Sequence, residues 1–157
     1  MADAAVRIVT VAPTRVAMLV HCGDPAGLDA SIARFVAWRR AAGLLPHNSA
    51  TFNILYGDPR TTPPAAFRTD LCVATDGAIA PNDAGIVAGL IPGGRCAVLR
   101  HVGSDDGLPD ALRQLVADWL PRSGERRRDQ PLYCQRVAFP PAVPADAAIT
   151  DLFLPLE

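Results

Sequence analysis

The sequence predicts an α+β fold: a duplicated strand-helix-strand-strand unit forming one pseudo-twofold antiparallel sheet with two helices packed on one face. An internal repeat and the alternation of short β-branched runs with helix-period stripes predict it. Val16–Arg39 aligns without gaps onto Cys96–Trp119 at an offset of eighty residues. Leu19/Leu99, His21/His101, Gly23/Gly103 and Gly27/Gly107 are among the identical pairs. One inserted residue later the echo resumes, ending with Thr69-Asp70-Leu71 against Thr150-Asp151-Leu152. Two copies are too few, and the period too long, for a solenoid. The expectation is a single domain over 1–157, with repeat 1 at about 5–76, repeat 2 at about 85–157 and a linker at Asp76–Gly85. A seam between such halves is a natural place for a pocket.

In order along the chain, Val6–Val11 and Val16–His21 read as strand, turn, strand around Ala12-Pro13-Thr14-Arg15. Gly23-Asp24-Pro25 opens a helix on which Leu28, Ile32, Phe35, Val36 and Arg39 form the apolar stripe, the Arg39 stem at its rim, with Gly43 as a left-handed cap. Two strands follow, Thr51–Tyr56 and Phe67–Thr75, joined through Gly57-Asp58-Pro59 and Pro63-Pro64. In the second copy Leu108, Leu112, Leu115, Val116 and Trp119 make the equivalent stripe; Pro109 suits the first helical turn and Pro121 marks the end. Strands Leu132–Phe139 and Ile149–Leu154 complete it. The run Glu125-Arg126-Arg127-Arg128-Asp129 reads as a short, self-neutralising solvated loop rather than a nucleic-acid patch.

With 157 residues, half of them apolar, the chain buries a sizeable core without a disulfide or metal staple. A net charge of −1 gives no basic field for a phosphate backbone, so no direct nucleic-acid partner is expected. Cys22, Cys72, Cys96 and Cys134 show no Cys-x-x-Cys spacing and read as small hydrophobes in a reducing cytosol, not as disulfides or metal ligands. Charged residues interrupt any signal-like apolar region near the N-terminus, and nowhere does an apolar stretch reach bilayer length. A cytoplasmic protein without a membrane partner, metal or cofactor is the expectation.

Ile91–Val98, His101-Val102-Gly103, Asp118–Gly124, Arg68–Val73 and Thr150–Leu156 together resemble the GyrI-like effector-binding family over nearly the whole chain. The family includes ligand-sensing domains of some AraC-type and MerR-type regulators, gyrase-inhibitory proteins and hydrolases of cyclopropane-bearing natural products. The resemblance implies a duplicated strand-helix-strand-strand fold and an aromatic-lined ligand cleft between the halves for small, often cationic or planar, molecules. It also implies a glutamate and an aromatic after the second helix, in a Pro-x-x-Glu-x-Tyr pattern. This chain reads Pro131-Leu132-Tyr133-Cys134-Gln135-Arg136, placing Cys134 at the acid and Arg136 at the aromatic. A desolvated cation needs a buried carboxylate, so the change argues against cationic ligands.

The candidate ligand-binding residues are Trp38, Tyr56, Trp119, Tyr133, Cys134, Arg136 and Phe153. Trp38 and Trp119 serve core packing as readily as a stacking wall. Cys134 reads as a packed or pocket-lining thiol; as a nucleophile it would need activation by Arg136, two residues along the same strand face. No catalytic residue is assigned. His21 and His101, each closing a strand before a Gly turn, read as hydrogen-bonding the turn backbone, and Asp58 and Asp70 as turn and strand-edge residues. The leading function is a stand-alone binder of an apolar or planar compound, with no helix-turn-helix segment of its own and so with a regulator as a possible protein partner. The alternatives are a hydrolase of reactive electrophiles and a protein-interaction role such as gyrase inhibition.

Overall fold

Eight strands form where the sequence is apolar and β-branched: β1 (Arg7–Val11), β2 (Thr14–Cys22), β3 (Thr51–Leu55), β4 (Arg68–Ala74), β5 (Val87–Ile91), β6 (Gly94–Val102), β7 (Leu132–Ala138) and β8 (Ile149–Pro155). Helix α1 (Leu28–Ala41) follows β2; α2 (Leu108–Arg113), a π-helical segment (Gln114–Trp119) and α3 (Leu120–Ser123) follow β6. The computed structural model describes residues 5–57 and 61–157, so the Asp58-Pro59 part of the expected turn, Asp58 included, lies outside the described residues. Two compact units result: one joins the chain up to Ala12 with Gly93–Glu157, and the other is Pro13–Pro92.

In the Pro13–Pro92 unit the strand order is β3-β4-β2-β5, every pair antiparallel. In the other unit it is β1-β6-β8-β7, again antiparallel throughout. β1 therefore lies beside β6 (Arg7↔Val98), and β5 beside β2 (Val16↔Gly89). Neither turns back on its neighbour in sequence. The two-residue connections are Ala12-Pro13 and Pro92-Gly93. Tight hairpins need positive φ at the first central residue, which neither Ala12 nor φ-locked Pro92 supplies readily.

Sequence reasoning missed β5. Gly89 interrupts its alternation, yet that glycine lets the strand close on β2: a Cβ there would meet the Met18 and Val16 side chains at 3.2 Å.

α1 packs on β2 and β4. Its inner face is Ser31, Phe35 and Arg39 at i, i+4, i+8, over a core of Ala17, Leu19, Leu71, Val73 and Ile86. Each fully buried Leu, Ile, Val or Phe among them stabilises by roughly 1.5–3 kcal/mol. Two expectations are corrected here. Ile32 lies one position off the inner face and is 40% exposed. Arg39 is buried rather than at the rim, because the chain beyond the helix folds back over it. It donates from Nε to the Leu44 carbonyl (2.7 Å), from Nη1 to Thr51 Oγ1 (2.9 Å) and from Nη2 to the Ser49 carbonyl (3.3 Å). Gly43 takes the left-handed conformation expected of it, φ 74°.

The second helix buries Leu108 and Leu115, with α2 packed on β6. Pro109 sits in its first turn as expected. Pro121 does not end it. The proline occupies the first turn of α3, where its missing N–H costs least, after the π-helical widening; the stop is Gly124, at φ 76°.

Candidate ligand-binding site

The polar anchors come first, because they hold the walls. His21 Nε2–H donates to the Asp24 carbonyl (3.1 Å), and the Ser31 hydroxyl donates to Nδ1 (2.8 Å). His101 Nε2–H donates to the Ser104 carbonyl (2.8 Å). Both histidines thus bond the turn that leads into the helix, the structural work their symmetric placement predicts.

Strand pairing centres a carboxylate in each unit. Asp70, expected at a strand edge, is instead 1% exposed in mid-β4. Its carboxylate accepts from Arg68 Nε and Nη2 (both 3.2 Å) and from the Tyr56 hydroxyl (2.9 Å), while the Arg68 guanidinium lies 4.1 Å from the Tyr56 ring centroid. Burial, then the bond to Asp70, pushes the Tyr56 phenol up to about 12. Asp151 in β8 accepts from Arg100 Nε (2.9 Å) and Nη2 (3.0 Å), with Arg7 at 4.0 Å. Each of these buried acids already carries an arginine.

Tyr133 and Phe153 are register partners across β7 and β8, and their rings stack at 4.8 Å with an interplanar angle of 4°. The Tyr133 hydroxyl lies 3.9 Å from Cys96 Sγ, and burial, then Cys96, raises the phenol pKa well above its ordinary value. Burial likewise raises the Cys96 thiol. Cys134, next along β7, projects to the opposite face from Tyr133 and is fully buried, whereas Cys22 is exposed. Arg136 shares the Cys134 face and pairs with Asp105 (2.6 Å). Burial works against its charge, yet Cys134 and Asp105 raise its pKa overall. Trp38 is half-buried against the α1 core, Trp119 is half-buried in the π-helical segment, and Tyr56 is 38% exposed. Of the predicted set, Tyr133 stacks on Phe153 and Cys134 adjoins Arg136; Trp38 and Tyr56 belong to the other unit.

The basic run is more than a solvated loop. Arg128 N–H donates to the Pro155 carbonyl, Glu157 N–H to the Arg126 carbonyl, and Arg127 bridges Leu156, so residues 126–128 run beside the last residues of the chain. Arg95 grips Glu125 (2.9 Å) and the Glu157 carbonyl (2.6 Å). Arg128 Nη1 donates to the Gly93 carbonyl (2.8 Å) and lies so close to Gly94 that a Cβ there would collide with it. The sequence signal was the Gly93-Gly94 pair, whose second residue has φ 131°.

A separate open pocket of about 460 Å³ in the Pro13–Pro92 unit is lined by residues including Arg15, Asn48, Ser49, Thr75 and Asp76, and by none of the predicted site residues. Among the described residues no group of three or more His, Cys, Asp and Glu could hold a metal ion, and no helix is long and apolar enough to cross a membrane.

The profile of the GyrI-like small molecule binding domain matches residues 4–157. The "Probable transcriptional regulator YgiV" of Escherichia coli K12 is 38% identical over 152 residues, covering 96% of this chain and 95% of that one. The crystal structure of the EcmrR C-terminal domain superposes with a TM-score of 0.79 at 16% identity, covering 98% of both chains. The cryo-EM structure of an EcmrR–DNA complex gives 0.78 at 12% identity; there the match covers 98% of this chain but 57% of that one. At these identities the two structures speak for the fold alone.

Proposed function

The chain belongs to the GyrI-like small molecule binding domain family, and on that premise we propose that it binds an apolar or planar organic compound in the cleft that the family pattern implies between its two repeats. The observation that carries this reading is the stacked Tyr133–Phe153 pair, two parallel aromatic rings on β7 and β8, the strands on which the sequence concentrates its candidate residues. Planar ligands stack on such surfaces, and pairs of this geometry add about 0.5–1.5 kcal/mol beyond burial. Trp38, Tyr56, Trp119, Cys134 and Arg136 complete the proposed lining.

We read the fold behind it as duplicated, forming one antiparallel sheet with both helices on one face. β1 and β2 begin and end eighty residues before β5 and β6, and β4 stands eighty-one before β8. Cations are the disfavoured ligands. The buried carboxylates Asp70 and Asp151 are engaged by Arg68 and Arg100, and Arg68 already covers the Tyr56 ring. The name of the YgiV relative supports a place in transcriptional regulation, with the ligand sensed here and a regulator as the protein partner.

Calorimetric titration with planar dyes matched in shape, one neutral and one cationic, tests the proposal. The neutral dye is expected to bind several-fold more tightly. A clear preference for the cation, or no binding of either, would defeat the reading.

A further inference from the structure

Arg68 and Arg100 each turn the same edge of the guanidinium, Nε with Nη2, onto a buried carboxylate, Asp70 and Asp151 respectively. At Arg128 the edge has no protein counterpart: Nε and Nη2 are sealed from solvent, and neither meets an acceptor. Its third nitrogen, Nη1, is occupied by the Gly93 carbonyl. Shielded N–H groups of a permanently charged guanidinium are unfavourable without acceptors, so this edge calls for one, and a carboxylate supplies both the acceptor geometry and the opposite charge. The nearby Gln130 Oε1, also shielded and without a partner, is a neutral acceptor and does not supply that charge.

The surroundings add the second half of the argument. Arg128 is bonded through its backbone to Pro155, the register partner of Cys96, whose Sγ lies 3.9 Å from the Tyr133 hydroxyl, and the Tyr133 ring stacks on Phe153. A fork of the kind that binds carboxylates in two parallel bonds thus stands close to a stacked aromatic pair. The arginine is held in place from two sides. Its backbone N–H is tied to the Pro155 carbonyl (2.9 Å), and Gly94, at φ 131°, leaves no Cβ in the space the guanidinium fills.

We propose that Arg128 is the anion-recognition residue of this protein, pairing through Nε and Nη2 with the carboxylate of a planar aromatic acid whose ring lies against Tyr133 and Phe153. The proposal rests on the small-molecule-binding reading above and gives it a ligand class. It reverses the charge preference that the family pattern implies: the patterned glutamate position is Cys134, and the shielded donors that lack acceptors belong to a guanidinium.

The test is calorimetric titration of the whole chain with naphthalene-2-carboxylate and with naphthalene-2-carboxamide, which has the same ring and no charge. The acid is expected to bind at least tenfold more tightly, and Arg128→Gln is expected to abolish that preference. Arg128→Lys keeps the charge but not the fork and is expected to retain only a small part of the preference, which serves should the glutamine variant fail to fold. Equal affinities in the wild type, or a preference that survives either substitution undiminished, overturn the assignment while leaving the binding reading intact. Failure of both compounds to bind removes the binding reading and this proposal with it.

Discussion

The two units solve the same problem, fixing a helix on a four-stranded antiparallel sheet, with different chemistry at matching positions. In the Pro13–Pro92 unit α1 runs unbroken over fourteen residues, and its end is held by a buried charge, Arg39, that reaches three acceptors on the returning chain. In the other unit the residue eighty positions on is Trp119, and the helix passes through a π-helical widening before stopping at Gly124. That end is tied locally: Ser123 Oγ donates to the Leu120 carbonyl (2.7 Å) and accepts from the Glu125 N–H (3.0 Å). A shared strand plan therefore does not dictate how the helix is anchored. Long-range anchoring makes one helix end part of the core, and local anchoring leaves the other dependent on its own last turn.

Removing the anchors should break this comparison most sharply. Arg39→Met keeps a long apolar stem but strips the donors from two carbonyls and a hydroxyl, and is expected to destabilise by on the order of 3 kcal/mol. Ser123→Ala at the other helix end should cost about 1 kcal/mol. Urea unfolding of the two variants measures both. Equal losses would mean that the buried arginine contributes no more than a local cap.

The paired turns carry the next largest difference. Gly27 and Gly107 both have ordinary helical φ, near −87°, so backbone strain does not separate them. Space does. A Cβ at Gly107 would lie 2.6 Å from His101 Cε1, whereas at Gly27 the nearest atom, His21 Cε1, is at 3.5 Å. Were His101 to swing away, it would give up its bond to the Ser104 carbonyl. Gly107→Ala should therefore cost about 2 kcal/mol. Gly27→Ala should be neutral or stabilise by about 0.5 kcal/mol through the unfolded chain. Thermal melts showing the same shift for both would remove the distinction.

How much of this was legible in the sequence depends on whether the signal was periodic or geometric. Seven strands, both helices and the histidine–turn bonds follow from alternation, helical spacing and the repeat itself. β5 escaped because Gly89 carries no side chain to alternate. Arg39 was placed at a rim because helical spacing gives a residue's angle around the helix and not what the chain lays over it afterwards. The carboxylate anchors were missed for a similar reason: Asp70 and Arg68 look like ordinary polar strand residues until β3 brings Tyr56 alongside. At the candidate site, Tyr133 and Phe153 could be picked as aromatics, but their stacking depends on register. Arg128 was hidden in a charge run, and only the neighbouring glycines hinted that one of its three arginines was enclosed.

The smallest expected effect concerns the two tyrosines, one in each unit. Tyr56 is held near 12 by burial and by its bond to Asp70, while Tyr133, more deeply buried and beside Cys96, ionises at still higher pH. A phenol whose folded pKa is raised binds its proton more tightly in the native state. Its contribution to stability is therefore complete below the ordinary value near 10 and is lost as pH rises through about 12. Tyr56 is more than a third exposed, so solvent screening keeps that contribution small. The ionisation itself is readable as ultraviolet absorbance of phenolate: the wild type should show no tyrosine titrating near 10. Asp70→Asn removes the negative charge beside Tyr56 and should bring one tyrosine down toward the ordinary value, leaving Tyr133 where it was. If the lower titration does not move in that variant, burial alone sets the Tyr56 value, and Asp70 serves only to hold Arg68.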